Sequence, residues 1–146
     1  AFGNPYEDQW NENIVAQWSE KLNKKLDVTI LALSDTIGVS NPENITSLFS
    51  TLIPELSEVE FGAHLHTTPD TWKEKIQASV GSGCRRFDGA IKGFGGCPMA
   101  ADELTGNMPT EKMLSYFEEN SFETNIDHGM FLNSLKESNG IFNSYF

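Results

Sequence analysis

At 146 residues, with 38% apolar and 11% aromatic content, the chain is long enough for one domain with a real core and too apolar for disorder. Its formal charge of −11, from 10 Lys and Arg against 21 Asp and Glu, argues against nucleic acid and anionic membrane as partners, since every contact would need basic charge against a repulsive field. No apolar run approaches the roughly 20 residues that span a bilayer, and the opening AFGNPYEDQW shows no secretory signal pattern.

In chain order, AFG reads as the end of a strand. NENIVAQWSEKLNKKL then carries Ile14, Trp18, Leu22 and Leu26 at a spacing of four, an amphipathic helix stripe. DVTILALSDT is β-branched and largely apolar, as expected of a parallel strand buried on both faces. SNPENITSLFSTLIPEL opens a second helix, with Asn41 as N-cap, Pro42 at the first helical position and an inward stripe of Ile45, Leu48, Phe49 and Leu52.

VEFGAHLH is the next strand, and PDTWKEKIQASVGSG the helix after it, with Trp72, Ile76 and Val80 inward and a glycine stop. RRFDGAIKGFGG supplies the last strand and a glycine-rich exit. PTEKMLSYFEEN starts a helix with Met113, Leu114 and Phe117 apolar, and FLNSLKESNGIFNSYF is a helical tail. Acidic stretches such as SYFEENSFE read as solvated helix faces. The alternation predicts an α/β fold with a parallel sheet and right-handed crossovers, in which chemistry gathers at the carboxyl ends of the strands. SDTIG, HLHTT and KGFGGCP all sit at those ends.

Two of the three histidines stand one residue apart. On a strand, His64 and His66 project to the same side with Cα atoms roughly 6.6 Å apart, close enough for both imidazoles to meet one metal ion. The alternative is one core histidine and one surface histidine. Asn107, in LTGNMPTE, offers an amide oxygen on the same rim or serves as a turn or capping residue. Cys97, in GFGGCPMA, is either a functional thiol or a small buried hydrophobe, and glycines 93, 95 and 96 allow close approach to a ligand.

Asp35 ends a buried strand, where a carboxylate is costly unless paired or used. Asp88, within a strand, reads as an internal hydrogen-bond or ion-pair partner. Cys84 reads as packing and His128 as a loop residue. If Arg85 to Ile91 is a strand, the two cysteines lie upwards of roughly 23 Å apart along it, too far for a disulfide, which fits a reducing compartment.

LALSDTIGV, the H-x-H at 64 and 66, GFGGCPMA and TGNMPTE, in this order, closely resemble the hydroxymethylglutaryl-CoA lyase family. That family belongs to a metal-dependent lyase superfamily built on the TIM (β/α)8 barrel. The likeness runs from residue 1 to about residue 120, and AFGNPYED is similar to the family's fifth-strand exit. It implies that His64, His66 and Asn107 are metal ligands for Mg²⁺ or Mn²⁺. Cys97 would be the active-site thiol and Asp35 a second catalytic or substrate-pocket residue, with Gly95 and Gly96 binding substrate.

The implied reaction is cleavage of a CoA thioester in leucine-catabolism or ketone-body chemistry, by a cytoplasmic enzyme that is a homodimer when complete. CoA would find basic residues outside these 146 positions or at Lys92, whose alternative is simple solvation.

Thr67 stands where the family often has Asp, and the Cys97–Asn107 spacing is one residue longer. No Asp-Arg-Glu motif occurs, although the family draws an aspartate ligand and a catalytic arginine from its first strand. A TIM barrel takes about 250 residues. The chain therefore reads as the C-terminal half of one barrel domain, covering residues 1–146. The competing readings are a 2-isopropylmalate- or homocitrate-type synthase and an inactive half-barrel fragment.

Overall fold

A computed structural model of the protein describes residues 1–6, 8–96, 100 and 105–142. The elements, in order, are α1 (Glu12–Leu26), β1 (Ile30–Asp35), α2 (Pro42–Glu55), β2 (Glu60–Thr67), α3 (Trp72–Gly81), β3 (Arg86–Asp88), a 3₁₀ turn (Ile91–Gly93), β4 (Gly106–Asn107), α4 (Thr110–Glu119) and α5 (His128–Phe142). Strands β1, β2 and β3 pair in parallel in that order, and β4 adds antiparallel to the end of β2. No helix among the described residues is long and apolar enough to cross a membrane.

The expected α/β architecture is present, and its core is one-sided. Leu33, Phe61, Ala63 and Leu65 point from the sheet into Ile45, Leu48, Phe49 and Leu52 of α2 and Ile76 of α3. Ile45, Phe49 and Ile76 are fully enclosed. Each such side chain contributes about 1.5–3 kcal/mol through burial. Helix α2 begins as its sequence dictates. Asn41 caps it reciprocally with Asn44, and Pro42 enters the first turn without losing a needed donor.

Several expectations are corrected. Strand β1 is not buried on both faces: Ile30 is 48% exposed and Ala32 is exposed, because helices cover only one side of the sheet. The α1 stripe is rotated. Trp18 and Leu26 are 54% and 67% exposed, while Ser19 and Asn23 are buried. Asn23 Nδ2 donates to the Val28 carbonyl at 3.1 Å, which fixes the turn into β1 and brings that face inward.

The opening AFG forms no strand, although the Ala1 amino group donates to the Ser34 carbonyl at 2.6 Å and Phe2 is buried. Strand β3 stops at Asp88, short of the expected Ile91. A Cβ on Gly89 would lie 2.8 Å from the Met108 carbonyl oxygen, and Lys92 and Gly93 take φ values of 58° and 68° that turn the chain. His128 opens α5 rather than lying in a loop.

Cys84 packs in the core, fully buried, with its thiol 3.2 Å from the Arg86 carbonyl. Burial raises its pKa from 9.0 to about 11. The thiol form is favoured by folding, so its stabilisation is complete below pH 9 and is lost as pH rises from about 9 to 11. Two pH units correspond to roughly 2–3 kcal/mol. Cys84→Ala should therefore flatten the fall of urea-unfolding stability between pH 8.5 and about 11. An equally steep fall in the variant would assign the alkaline loss to other groups.

Candidate metal centre

Strand β2 places Gly62, His64 and His66 on the side of the sheet opposite the helices, since Phe61, Ala63 and Leu65 occupy the core side. The two imidazole rings lie 5.8 Å apart between centroids, edge to face. His66 Nδ1 is 2.7 Å from the Asp35 carbonyl oxygen and 3.1 Å from that of Thr36. A carbonyl only accepts, so Nδ1 carries the proton and Nε2 keeps its lone pair. His64 Nδ1 faces Asp88 Oδ2 at 3.3 Å, and an ionised carboxylate likewise only accepts.

Asn107 arrives from a distant part of the chain. It is the register partner of His66 in the antiparallel β2–β4 pair, and directly opposed residues share a face. Its Nδ2 donates to the Phe94 carbonyl at 2.8 Å, which leaves Oδ1, without a hydrogen bond among the described residues, as the acceptor of the amide. Two Nε2 lone pairs and one amide oxygen thus share one side of the sheet. Imidazoles that donate their second N–H to oxygen are the usual pattern of metal-bound histidine, so the residues present fit a divalent ion. No group of three or more His, Cys, Asp or Glu among the described residues could hold a metal, so the set depends on the amide.

The glycine loop is built against this amide. Gly95 takes φ +83°, and a Cβ there would lie 2.9 Å from Asn107 Nδ2. On Gly96 it would lie 2.5 Å from the Thr105 carbonyl oxygen. Gly95 also accepts the Asn107 N–H at 3.1 Å. The glycines thus let two backbones touch, and this contact seats Asn107. Cys97 follows immediately in sequence but lies outside the described residues. A pocket of about 140 Å³ adjoins, lined in part by Thr67, Lys92, Asn107, Glu111 and Lys112.

Asp35 is placed elsewhere. Its side chain is fully buried on the helix side of the sheet, ion-paired with Lys75 at 3.0 Å. It also accepts from the Ser40 backbone at 3.1 Å and hydroxyl at 2.5 Å. Its backbone carbonyl, not its carboxylate, reaches the His66 imidazole. The structure therefore gathers His64, His66, Asn107 and Gly95, and turns the Asp35 carboxylate away from them. Lys75 was missed as a site residue, although its spacing from Trp72 and Ser79 puts it on the inward face of α3, where a lysine needs a reason.

Comparison with known proteins places the sequence and fold in a family. A family model described as HMGL-like matches residues 1–136. The hydroxymethylglutaryl-CoA lyase YngG of Bacillus subtilis is 30% identical over 136 residues, which are 93% of this chain and 45% of that protein. The (R)-citramalyl-CoA lyase of Chloroflexus aurantiacus is 33% identical over 97 residues, 66% of this chain and 30% of that protein. A solved Bacillus subtilis HMG-CoA lyase superposes with a TM-score of 0.86 at 29% identity, covering 97% of this chain and 47% of that one.

The chain spans about half the length of the two Bacillus subtilis lyases, and its fold is a partial TIM barrel of parallel βα units. With the family model running along most of its length, the chain belongs to the HMGL-like family.

Proposed function

We propose that this chain is the C-terminal half of the barrel domain of a hydroxymethylglutaryl-CoA lyase. The complete protein would cleave 3-hydroxy-3-methylglutaryl-CoA to acetyl-CoA and acetoacetate. One observation carries this reading: two imidazoles on one face, each with Nδ1–H tied to an oxygen, beside an amide whose oxygen accepts no hydrogen bond among the described residues. His64, His66 and Asn107 would hold Mg²⁺ or Mn²⁺. That ion would supply positive charge to polarise the substrate's tertiary hydroxyl.

The chain's own residues have distinct tasks. Asp88 and the Asp35 carbonyl keep both histidines in the tautomer that offers Nε2. Gly95 and Gly96 let the loop lie close over Asn107 and leave room for substrate beside it. When the hydroxyl proton passes to a base of the complete enzyme, the C2–C3 bond pair moves to C2, giving the thioester enolate as acetoacetate departs. Cys97 then returns a proton to that carbon, since a thiol pKa of about 8.5 lies near working pH. Asp35 supports the pocket through its carbonyl, and the complete enzyme works as a cytoplasmic homodimer on CoA thioesters.

Acetoacetate release from 3-hydroxy-3-methylglutaryl-CoA by the complete protein, dependent on Mg²⁺ or Mn²⁺, is the expected result. Condensation of a thioester with a 2-oxo acid in its place would overturn it in favour of a synthase. Cys97→Ala should lower turnover by about 10²-fold or more with little change in melting temperature. A destabilised but active variant would return Cys97 to a packing role. The isolated 146-residue chain should be inactive and self-associating, because β1 and β3 are open edges of the sheet among the described residues and present unpaired backbone groups. A monodisperse, active chain would refute that.

A further inference from the structure

A lysine is almost never fully buried unless paired, yet Lys75 is 2% exposed and sits directly behind the imidazole face. Its ammonium has three N–H donors and makes three bonds: to Asp35 Oδ2 at 3.0 Å, to the Gly38 carbonyl at 3.2 Å and to the His66 carbonyl at 2.8 Å. These acceptors belong to the end of β1, to the turn that follows it and to the end of β2. One side chain from α3 thus ties together the three backbone segments that surround His66.

The connections continue to the ring. The Gly38 N–H donates to the Asp35 carbonyl at 3.4 Å, and that same carbonyl receives His66 Nδ1–H at 2.7 Å. Gly38 holds φ +76°, and a Cβ added there would lie 3.8 Å from His66 Cβ. The turn Lys75 holds is therefore packed on the histidine itself. His64 is oriented independently, by Asp88 across the β2–β3 pair.

We propose that Lys75 is a positioning residue. By clamping the Gly38 and His66 carbonyls and the Asp35 carboxylate from the helix side, it holds the Asp35 carbonyl where it fixes the tautomer and orientation of His66. The inference deepens the proposed metal centre and rests on that reading for its catalytic meaning. The tautomer itself depends on no metal. Asp35 belongs to the same device: Ser40 and Lys75 converge on its Oδ2, while Oδ1 is buried with no hydrogen-bond partner among the described residues. That one-sided use suits an anchor for an ammonium.

The test is long-range ¹H–¹⁵N correlation of the histidine rings in the complete protein, metal-free, at pH 8. The wild-type protein should show both His64 and His66 as single Nδ1–H tautomers. In Lys75→Met, His66 should fall to a mixture of tautomers while His64 keeps its own.

Lys75→Met leaves the Asp35 charge buried alone and can unfold the chain. The charge-neutral pair Lys75→Met with Asp35→Asn is therefore measured beside it, and the same selective loss at His66 is expected. Retention of the Nδ1–H tautomer at His66 in the pair would overturn the proposal, as would equal change at both histidines. A complete protein that lacked metal-dependent lyase activity would remove the proposed function while leaving the selective tautomer change standing.

Discussion

His66→Ala in the complete protein should lower Mn²⁺ affinity and turnover together, each by about 10²-fold or more, since on the proposed reading it deletes a ligand, where altering a ligand's supporting partner alone costs 10–100-fold. His66 is the better of the two histidines for this test because its surroundings are the more committed. It is 9% exposed, bonded to two carbonyls through Nδ1 and paired in register with Asn107. Removal also strips a donor from the Asp35 and Thr36 carbonyls, at a cost of about 1–3 kcal/mol.

His64 is less enclosed, with 41% of its side chain exposed and a longer 3.3 Å bond to Asp88. His64→Ala should therefore match the loss of affinity with a smaller loss of stability. Calorimetric Mn²⁺ titration with parallel urea unfolding separates the two effects. Unchanged affinity in either variant would end the ligand assignment.

Gly96→Ala should be nearly as damaging to turnover, although the residue need carry no chemistry. A Cβ there would lie 2.5 Å from the Thr105 backbone oxygen, and a backbone atom cannot swing aside as a flexible side-chain tip can. The loop must therefore move away from residues 105–107, and with it the hydrogen bonds that join Asn107 to Gly95 and Phe94. Overpacking of this kind costs about 1–3 kcal/mol. A displacement near 1 Å at a catalytic loop costs about 10²-fold in rate.

Gly81→Ala is the matched control, because a Cβ on Gly81 meets nothing within 4 Å. Activity of Gly96→Ala equal to that of Gly81→Ala would show that the contact between loop and β4 does not seat the amide.

The parts of this architecture that were legible in the sequence are those set by neighbours along the chain. Asn41-Pro42 announces the start of α2 because capping and proline geometry act within one turn. The stripe of Ile45, Leu48, Phe49 and Leu52 is buried as expected, since helix period alone puts those residues on one face. The common face of His64 and His66 follows in the same way from the two-residue period of a strand. The glycines at 93, 95 and 96 signalled a close approach, but they did not name the partner, which is backbone at 105–107 rather than a ligand alone.

Where the reading failed, the deciding contact came from far along the chain or from an uncovered surface. The α1 stripe had the right period and the wrong face, because Asn23 and Val15 rather than Trp18 meet the body of the fold. Strand β3 ended early where Gly89 meets Met108. Asp35, expected to be either paired or used in a pocket, is paired, on the helix side of the sheet, by a lysine that drew no notice among helix-forming residues.

By itself, then, the sequence determined the alternation of strands and helices, the caps, the shared side of the two imidazoles and the likeness to a lyase family, all of which local geometry or motif order specifies. Only the tertiary structure decided that Asn107 lies opposite His66, that Lys75 is buried behind it, and that the Asp35 carbonyl rather than its carboxylate serves the ring. Periodicity states which way a side chain points. What it meets there depends on pairing register and packing between distant segments, and no local pattern encodes those.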